Sequence, residues 1–386
     1  REFQEHGISA VGIATKFSPR NPEHEIALSA SLGKGFSPIT LGHTLSGRLN
    51  FPRRVFTTWL NSGVFSTFQK FASALTARCL QEGLSLPISI VKADGGLMGL
   101  PFATRQPVLS LGSGPAAGVM GGLSQHHFHE DALLLDIGGT TTDLAVLADG
   151  VPLLEPEGMT IGGIPTLIRA VAFRSIGIGG DSSVIPTRGC MPPKSHGWRR
   201  SSGVVLDSQR RTWTIGPQRT GPAYACGGPT PTPTDAMIVL GLCPLGNLSR
   251  AQEVISQLGQ MIGKSLPETA TSILQHAARQ IHGEAQGFLA KIHGRQVQTV
   301  EALLHGRKVQ PRRIGIVGAP AKAFAPFIEE AFQLPVHVPN DPEYASALGA
   351  ALSQPTAEIS LFIDTEHHRL EIPELDVRES IPNGFS

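Results

Sequence analysis

The stretch LLLDIGGTTTDLAVLADG, from Leu133 to Gly150, constrains this chain more than any other. An apolar run reaches Asp136, Gly138 and Gly139 follow, and then come Thr140, Thr141, Thr142, Asp143 and a second apolar run. Short apolar runs bounded by such a turn read as buried strands. A third run, Val151–Leu154, follows Ala148-Asp149-Gly150, whose Asp-Gly pair favours a tight hairpin. Three strands joined by two tight turns predict an antiparallel meander.

The first turn carries the chemistry. Gly138 and Gly139 remove the Cβ atoms that would hold a phosphate away. Successive backbone N–H groups in such a turn form an anion-binding concavity, and Thr140, Thr141 and Thr142 add hydroxyl donors. Asp136 and Asp143 would repel a bare phosphate, but they suit a hydrated Mg²⁺ that bridges them to phosphate oxygens. A plain hairpin with a polar tip is the competing reading, and acid-x-Gly-Gly-Thr-x-Thr-Asp between two apolar strands favours the phosphate turn over it. The turn is not a P-loop, because it has no Lys at the required position and leads into a strand.

Elsewhere strand-like and helix-like patterns alternate. A strand is expected at about Ala10–Phe17, and a helix over Asn21–Gly33 with Asn21 as N-cap and Gly33 past its end. A second helix is expected over Gly63–Gly83, and a short strand, Leu86–Gly96, runs into a Gly-Gly turn. Pro115 opens a helix whose Ala/Gly face allows very close packing. Arg188–Gly203 is Pro/Gly/Ser-rich and basic, an exposed loop. Ser249 to about Leu304 is helical, and Ile314–Leu352 reads strand, Gly turn, helix, strand, helix.

Composition sets bounds on function. Apolar residues make up 40% of 386 and charged residues 16%, as in a globular α/β protein. A net charge of +1 gives no electrostatic argument for nucleic acid or an anionic membrane. No apolar stretch reaches the roughly 20 residues of a membrane helix. Cys79, Cys190, Cys226 and Cys243 form no CxxC pair, which suits thiols in a reducing cytoplasm.

DIGGTTTDLAVLADG resembles the second phosphate motif of the actin-like ATPase superfamily, and more closely the hydantoinase/oxoprolinase family. Collinear with that family are NPEHE (Asn21–Glu25), LNFPRRVFTTWLNSGV (Leu49–Val64), KADGGLM (Lys92–Met98) and SGPAAGVMGG (Ser113–Gly122). SIGIGGDSS (Ser175–Ser183), Ile215–Gly241 and the C-terminal VPNDPEYASALGAAL continue the series. Two departures stand out: VGAPA (Val317–Ala321) keeps one glycine of the family's Gly-Gly turn, and only one DxGGTxTD turn is present. The family's opening phosphate segment is therefore expected to be missing, with the N-terminal half incomplete.

The resemblance implies a fold and an activity. The fold is α/β, an actin-like (ribonuclease H-like) ATPase with a mixed sheet flanked by helices. Residues 1–104 would be the remainder of an N-terminal half-domain and 105–355 the ATPase domain. That domain would hold an insertion at about 185–235 and a helical segment at about 249–305, and 356–386 would be a C-terminal tail. The implied activity uses ATP and Mg²⁺ to open a small cyclic amide, of hydantoin or 5-oxoproline type, by phosphorylating the amide oxygen. A second, hydantoinase B-like subunit is the implied partner. Activation of a partner enzyme, or a truncated inactive remnant, are the alternatives.

Each candidate residue has a role. Asp136 would hold Mg²⁺ through water or orient the attacking group, with Asp143 as the second metal-side acid. Gly138, Gly139, Thr140, Thr141 and Thr142 would take β/γ-phosphates. Gly177, Gly179 and Gly180 would let backbone approach phosphate or ribose, with Asp181 or Ser182 as a polar contact. Gly318 would seat the adenosine part. Asp235 reads as a structural helix N-cap, and His126, His127 and His129 as a solvated loop rather than a metal site.

Overall fold

The computed structural model describes residues 5–186, 213–294, 308–375 and 377–382. The basic segment Arg188–Gly203, most of the expected loop insertion before Trp213, and the helical pattern beyond 294 lie outside the described residues. The chain forms two compact units. One comprises the described residues as far as Ala117, Leu154–Val171, and the described residues from Ser353; the other comprises Gly118–Leu153 and Ala172–Leu352.

In the first unit, β1 (Val11–Ile13) and β2 (Ile39–Leu41) pair in parallel on either side of α1 (Glu23–Leu32) in sequence. The expected strand to Phe17 stops at Ile13 because the next backbone groups bond to side chains instead of a ladder. Thr15 N donates to Glu25 Oε1 at 2.7 Å, and the fully buried Arg54 donates to the carbonyls of Thr15 and Lys16, each at 2.8 Å. Gly33 ends α1 at φ 59°, where a Cβ is strained. Asn21 Oδ1 accepts from Glu23 N, next to Pro22 at the cap position.

Helix α2 (Phe51–Gln81) starts well before the expected Gly63, because Asn50 caps it by accepting from Arg53 N and Pro52 fits its first turn. Strands β3 (Ser89–Val91) and β4 (Leu97–Gly99) form the hairpin around the Gly-Gly turn. Three short antiparallel strands, Phe362–Asp364, Arg369–Ile372 and Val377–Ser380, complete the unit.

The second unit is built on a mixed sheet. After α3 (Ser113–His126) come β5 (Ala132–Ile137), β6 (Thr142–Ala148), β7 (Val151–Pro152) and β8 (Phe173–Ile176). The expected meander is present: β5 pairs antiparallel with β6, and β6 with both β7 and β8. Asp149 and Gly150 both take positive φ, 49° and 78°, as a two-residue hairpin turn requires.

Next come α4 (Pro233–Val239), α5 (Leu248–Ile262) and α6 (Leu266–His293); Gly263, left-handed at φ 72°, separates the last two. The expected strand–helix–strand–helix ending follows as β9 (Arg313–Val317), α7 (Ala321–Phe332), β10 (Val336–His337) and α8 (Ala345–Leu352). Strand β9 joins β5 in parallel and β10 joins β9.

Alternation along β5 decides what goes where. Leu133, Leu135 and Ile137 join Leu144, Val146 and the inner faces of α5, α6 and α7 in one apolar core. The other face of β5 presents Leu134 and Asp136.

Candidate nucleotide-phosphate site

Helix α3 covers the Leu134/Asp136 face through its glycines. A Cβ on Gly118 would lie 2.2 Å from Asp136 Oδ2, and one on Gly122 would lie 2.5 Å from a Leu134 methyl. These two glycines are one helical turn apart, matching two same-face residues of a strand. The small-residue face expected after Pro115 thus brings the helix onto the strand's acidic end.

Asp136 and Asp143 are direct Cα partners across the β5–β6 ladder, and Ser175 partners Asp143 from β8. Directly paired residues share a sheet face, so the three polar side chains form one row. Ser346, from α8, donates to Asp136 Oδ2 at 3.4 Å. Burial, then the charge of Asp143, pushes the Asp136 carboxyl above the usual carboxylate range, against the Ser346 hydrogen bond. Burial raises Asp143 as well, against a hydrogen bond from Ser175. Asp143 Oδ1 is buried with no hydrogen-bond partner.

The turn itself is pinned from behind. Gly138 N donates to Thr141 O at 2.9 Å. The second glycine stretch docks on it: Gly180 N donates to Gly138 O at 3.0 Å and Asp181 N to Gly139 O at 2.6 Å. A Cβ on Gly179 would sit 2.6 Å from Gly138 O, so only glycine lets the two turns interlock. Thr234 holds the second turn by donating its N–H and its hydroxyl to Gly180 O, both at 2.8 Å. Gly318, at φ 95°, closes the other side, where a Cβ would be 2.1 Å from Ile137 O and 2.9 Å from Asp136 Oδ1.

Asp136, Gly138, Gly139, Thr140, Thr141, Thr142, Asp143, Gly179, Gly180 and Gly318 therefore converge at one end of the β5–β6 hairpin, within the second unit. They are not equivalent. Gly139 and Thr140 are exposed, and among the described residues the N–H groups of Gly139, Thr140 and Thr141 have no protein acceptor. Thr142 is fully buried and its hydroxyl donates to Ile178 O at 2.7 Å. It ties the two glycine turns together instead of facing solvent.

The surroundings sharpen three sequence readings. Asp181 pairs with Arg219 at 2.9 Å, a cation beside the turn that sequence pattern did not single out. Asp235 is structural as expected but sits inside the helix. Thr232 is the cap, and Asp235 accepts from the backbone N–H groups of Thr232, Tyr224 and Ala225. His126 is not in a solvated loop: it ends α3, stacks on Phe128 and meets His337 Nδ1 at 2.7 Å. Ser175 and Ser346 were missed because strand register and chain return bring them in, which no local pattern encodes.

The donor set fits a hydrated divalent cation. Two carboxylates on one sheet face, both pushed up by burial and one with an orphaned oxygen, are relieved by a metal charge. Among the described residues no cluster of three or more His, Cys, Asp or Glu forms a dedicated metal cage. Mg²⁺ is ordinarily held by one or two carboxylates together with phosphate oxygens.

Comparison with known proteins places the chain. The family model described as hydantoinase/oxoprolinase matches residues 54–359. The caprolactamase subunit alpha of Pseudomonas jessenii is 22% identical over 360 residues, which cover 90% of this chain and 47% of that protein. Nucleotide-free acetone carboxylase superposes with a TM-score of 0.66 at 17% identity, covering 95% of this chain and 50% of that one. ATP-dependent caprolactamase from Pseudomonas jessenii gives 0.64 at 19% identity, over 94% and 51%. The chain thus spans about half the length of these relatives. The shared fold is the α/β, actin-like ATPase fold, with helices on a mixed sheet.

Proposed function

This chain belongs to the hydantoinase/oxoprolinase family, and we propose that it is the ATP-handling part of an ATP-dependent cyclic amidase. The observation that carries the reading is the Asp136–Asp143 row beside two interlocked glycine turns. The N–H groups of Gly139, Thr140 and Thr141, with the Thr140 and Thr141 hydroxyls, would receive the β/γ-phosphates. Asp136 and Asp143 would hold Mg²⁺, which supplies charge neutralisation at those oxygens. Thr142, Gly179 and Gly180 would keep the turn in shape, and Gly318 would border the nucleoside.

An amide carbonyl is a poor electrophile for water. In the proposed step the amide oxygen attacks the γ-phosphorus and the bond to ADP breaks. Water then adds to the activated carbon and the ring C–N bond breaks, its electron pair and a proton going to nitrogen. A second water hydrolyses the acyl phosphate so formed to carboxylate and inorganic phosphate. The protein's part in such a transfer is positioning and electrostatic stabilisation. Relatives named as subunits support a second subunit as partner. No helix among the described residues is long and apolar enough to cross a membrane.

The test is phosphate release from ATP by the chain, alone and with its partner subunit, in the presence of hydantoin, 5-oxoproline or caprolactam. Release that depends on one of these rings supports the reading. Release that depends only on the partner protein supports an activator instead.

A further inference from the structure

The first unit holds a cavity of about 310 Å³ that the nucleotide reading does not use. Leu45, Leu97, Met98, Phe102, Leu109 and Leu167 make much of its wall. Lys92, Asp94 and Arg169 line the same cavity. Lys92 is only 8% exposed. Its Nζ lies 3.3 Å from Asp94 Oδ2, and Arg169 Nε lies 3.7 Å from that same oxygen, too far for a hydrogen bond. Asp94 Oδ1 is taken by Gly96 N at 3.0 Å. One carboxylate therefore answers two cations.

The other acid on the wall does not restore the balance, because Glu358 pairs with Arg48. Over Arg48, Lys92, Arg169, Asp94 and Glu358 one positive charge remains. An ammonium has three donors, and Asp94 engages one of Lys92's. A cation with surplus donors beside an apolar wall is costly, and an entering anion is attracted strongly where the dielectric is low. The site is also built to shape. Lys92 N donates to Gly96 O at 2.7 Å, and Gly96 leaves room for Thr356, since a Cβ there would be 1.8 Å from its Oγ1.

We propose that this cavity binds a compact organic monocarboxylate, its apolar body against Leu97, Met98 and Phe102 and its carboxylate on Lys92, with Arg169 as second cation. The volume suits a small ligand. The proposal does not rest on the nucleotide reading, whose residues lie in the other unit.

Calorimetric titration of the 386-residue chain with hexanoate and with uncharged hexanamide tests it. Hexanoate should bind at least about tenfold more tightly than hexanamide. Lys92→Met should abolish that difference, and Arg169→Gln, at a more exposed position, should weaken hexanoate severalfold even if the lysine variant fails to fold. Equal binding of the two probes, binding of neither, or hexanoate affinity unchanged in the folded variants would overturn it. ATP binding by the same variants should stay unchanged, which separates failure of this site from failure of the phosphate site.

Discussion

Asp136 and Asp143 face each other as direct partners across the β5–β6 ladder, two carboxylates on one sheet face. Like charges so placed oppose folding. Both carboxyls are held above the ordinary range, by burial first. An acid raised in the folded state stabilises the fold while protonated and loses that contribution as pH rises through its folded pKa. Asp143→Asn should therefore stabilise the nucleotide-free chain at pH 7.5, by roughly 1 kcal/mol, the scale of a directly opposed like-charge pair. Urea denaturation reads this, and a loss of stability would contradict it.

Gly118 and Gly179 are required for space. Gly118→Ala would drive a methyl into Asp136, and Gly179→Ala into the Gly138 carbonyl. Each should cost roughly 1–3 kcal/mol, the scale of overpacking. Gly63 is the control: it lies inside α2 with nothing within 4 Å of a Cβ. Gly63→Ala should stabilise by roughly 0.5–1 kcal/mol. Thermal unfolding of the three variants gives the order, and a neutral Gly179→Ala would break the interlocking argument.

Glu25 makes the first unit acid-sensitive. Although burial alone would raise it, hydrogen bonds from His43, Ser18 and Thr15 hold its carboxyl at about 2. The His43 Nδ1 contact is 2.8 Å. A depressed acid contributes above its unfolded pKa and loses that contribution as pH falls toward its folded value. Glu25→Gln should cost roughly 2–3 kcal/mol at pH 7, the worth of charged hydrogen bonds, and the gap should narrow between the ordinary 4.5 and about 2. Denaturant titrations at neutral and acid pH measure the gap.

His126 should titrate late. Burial, then the neighbouring His337 and His127, lower its ring to about 4. A histidine kept neutral in the fold costs stability as pH falls from 6.5 toward that value. Its ring resonances in NMR should shift near pH 4, and a midpoint near 6.5 would show the ring to be solvated.

What could be read ahead of the structure was local chemistry. Acid, paired glycines and threonines in one turn carry their own geometry, as does the Asp149-Gly150 hairpin. Helix boundaries were read less well: α2 was placed too far along the chain, because the buried face of its opening turns is polar (Arg54, Thr57, Thr58, Asn61) while Phe51, Val55, Phe56 and Trp59 are exposed, the reverse of the usual amphipathic pattern. Asp235 was shifted by a few positions because a capping box uses both of its ends. Ser175, Ser346 and Arg219 belong to the site through ladder register, chain return and an ion pair, which become visible only once the chain is folded.

Equilibrium titration of the chain with ATP, with and without Mg²⁺, reaches the central claim most directly. The account predicts Mg²⁺-dependent binding that Asp136→Asn weakens by at least about tenfold, some 1.4 kcal/mol, while the variant stays folded. ATP binding that ignores both the metal and the Asp136 carboxylate, or no ATP binding by the folded chain, would contradict it.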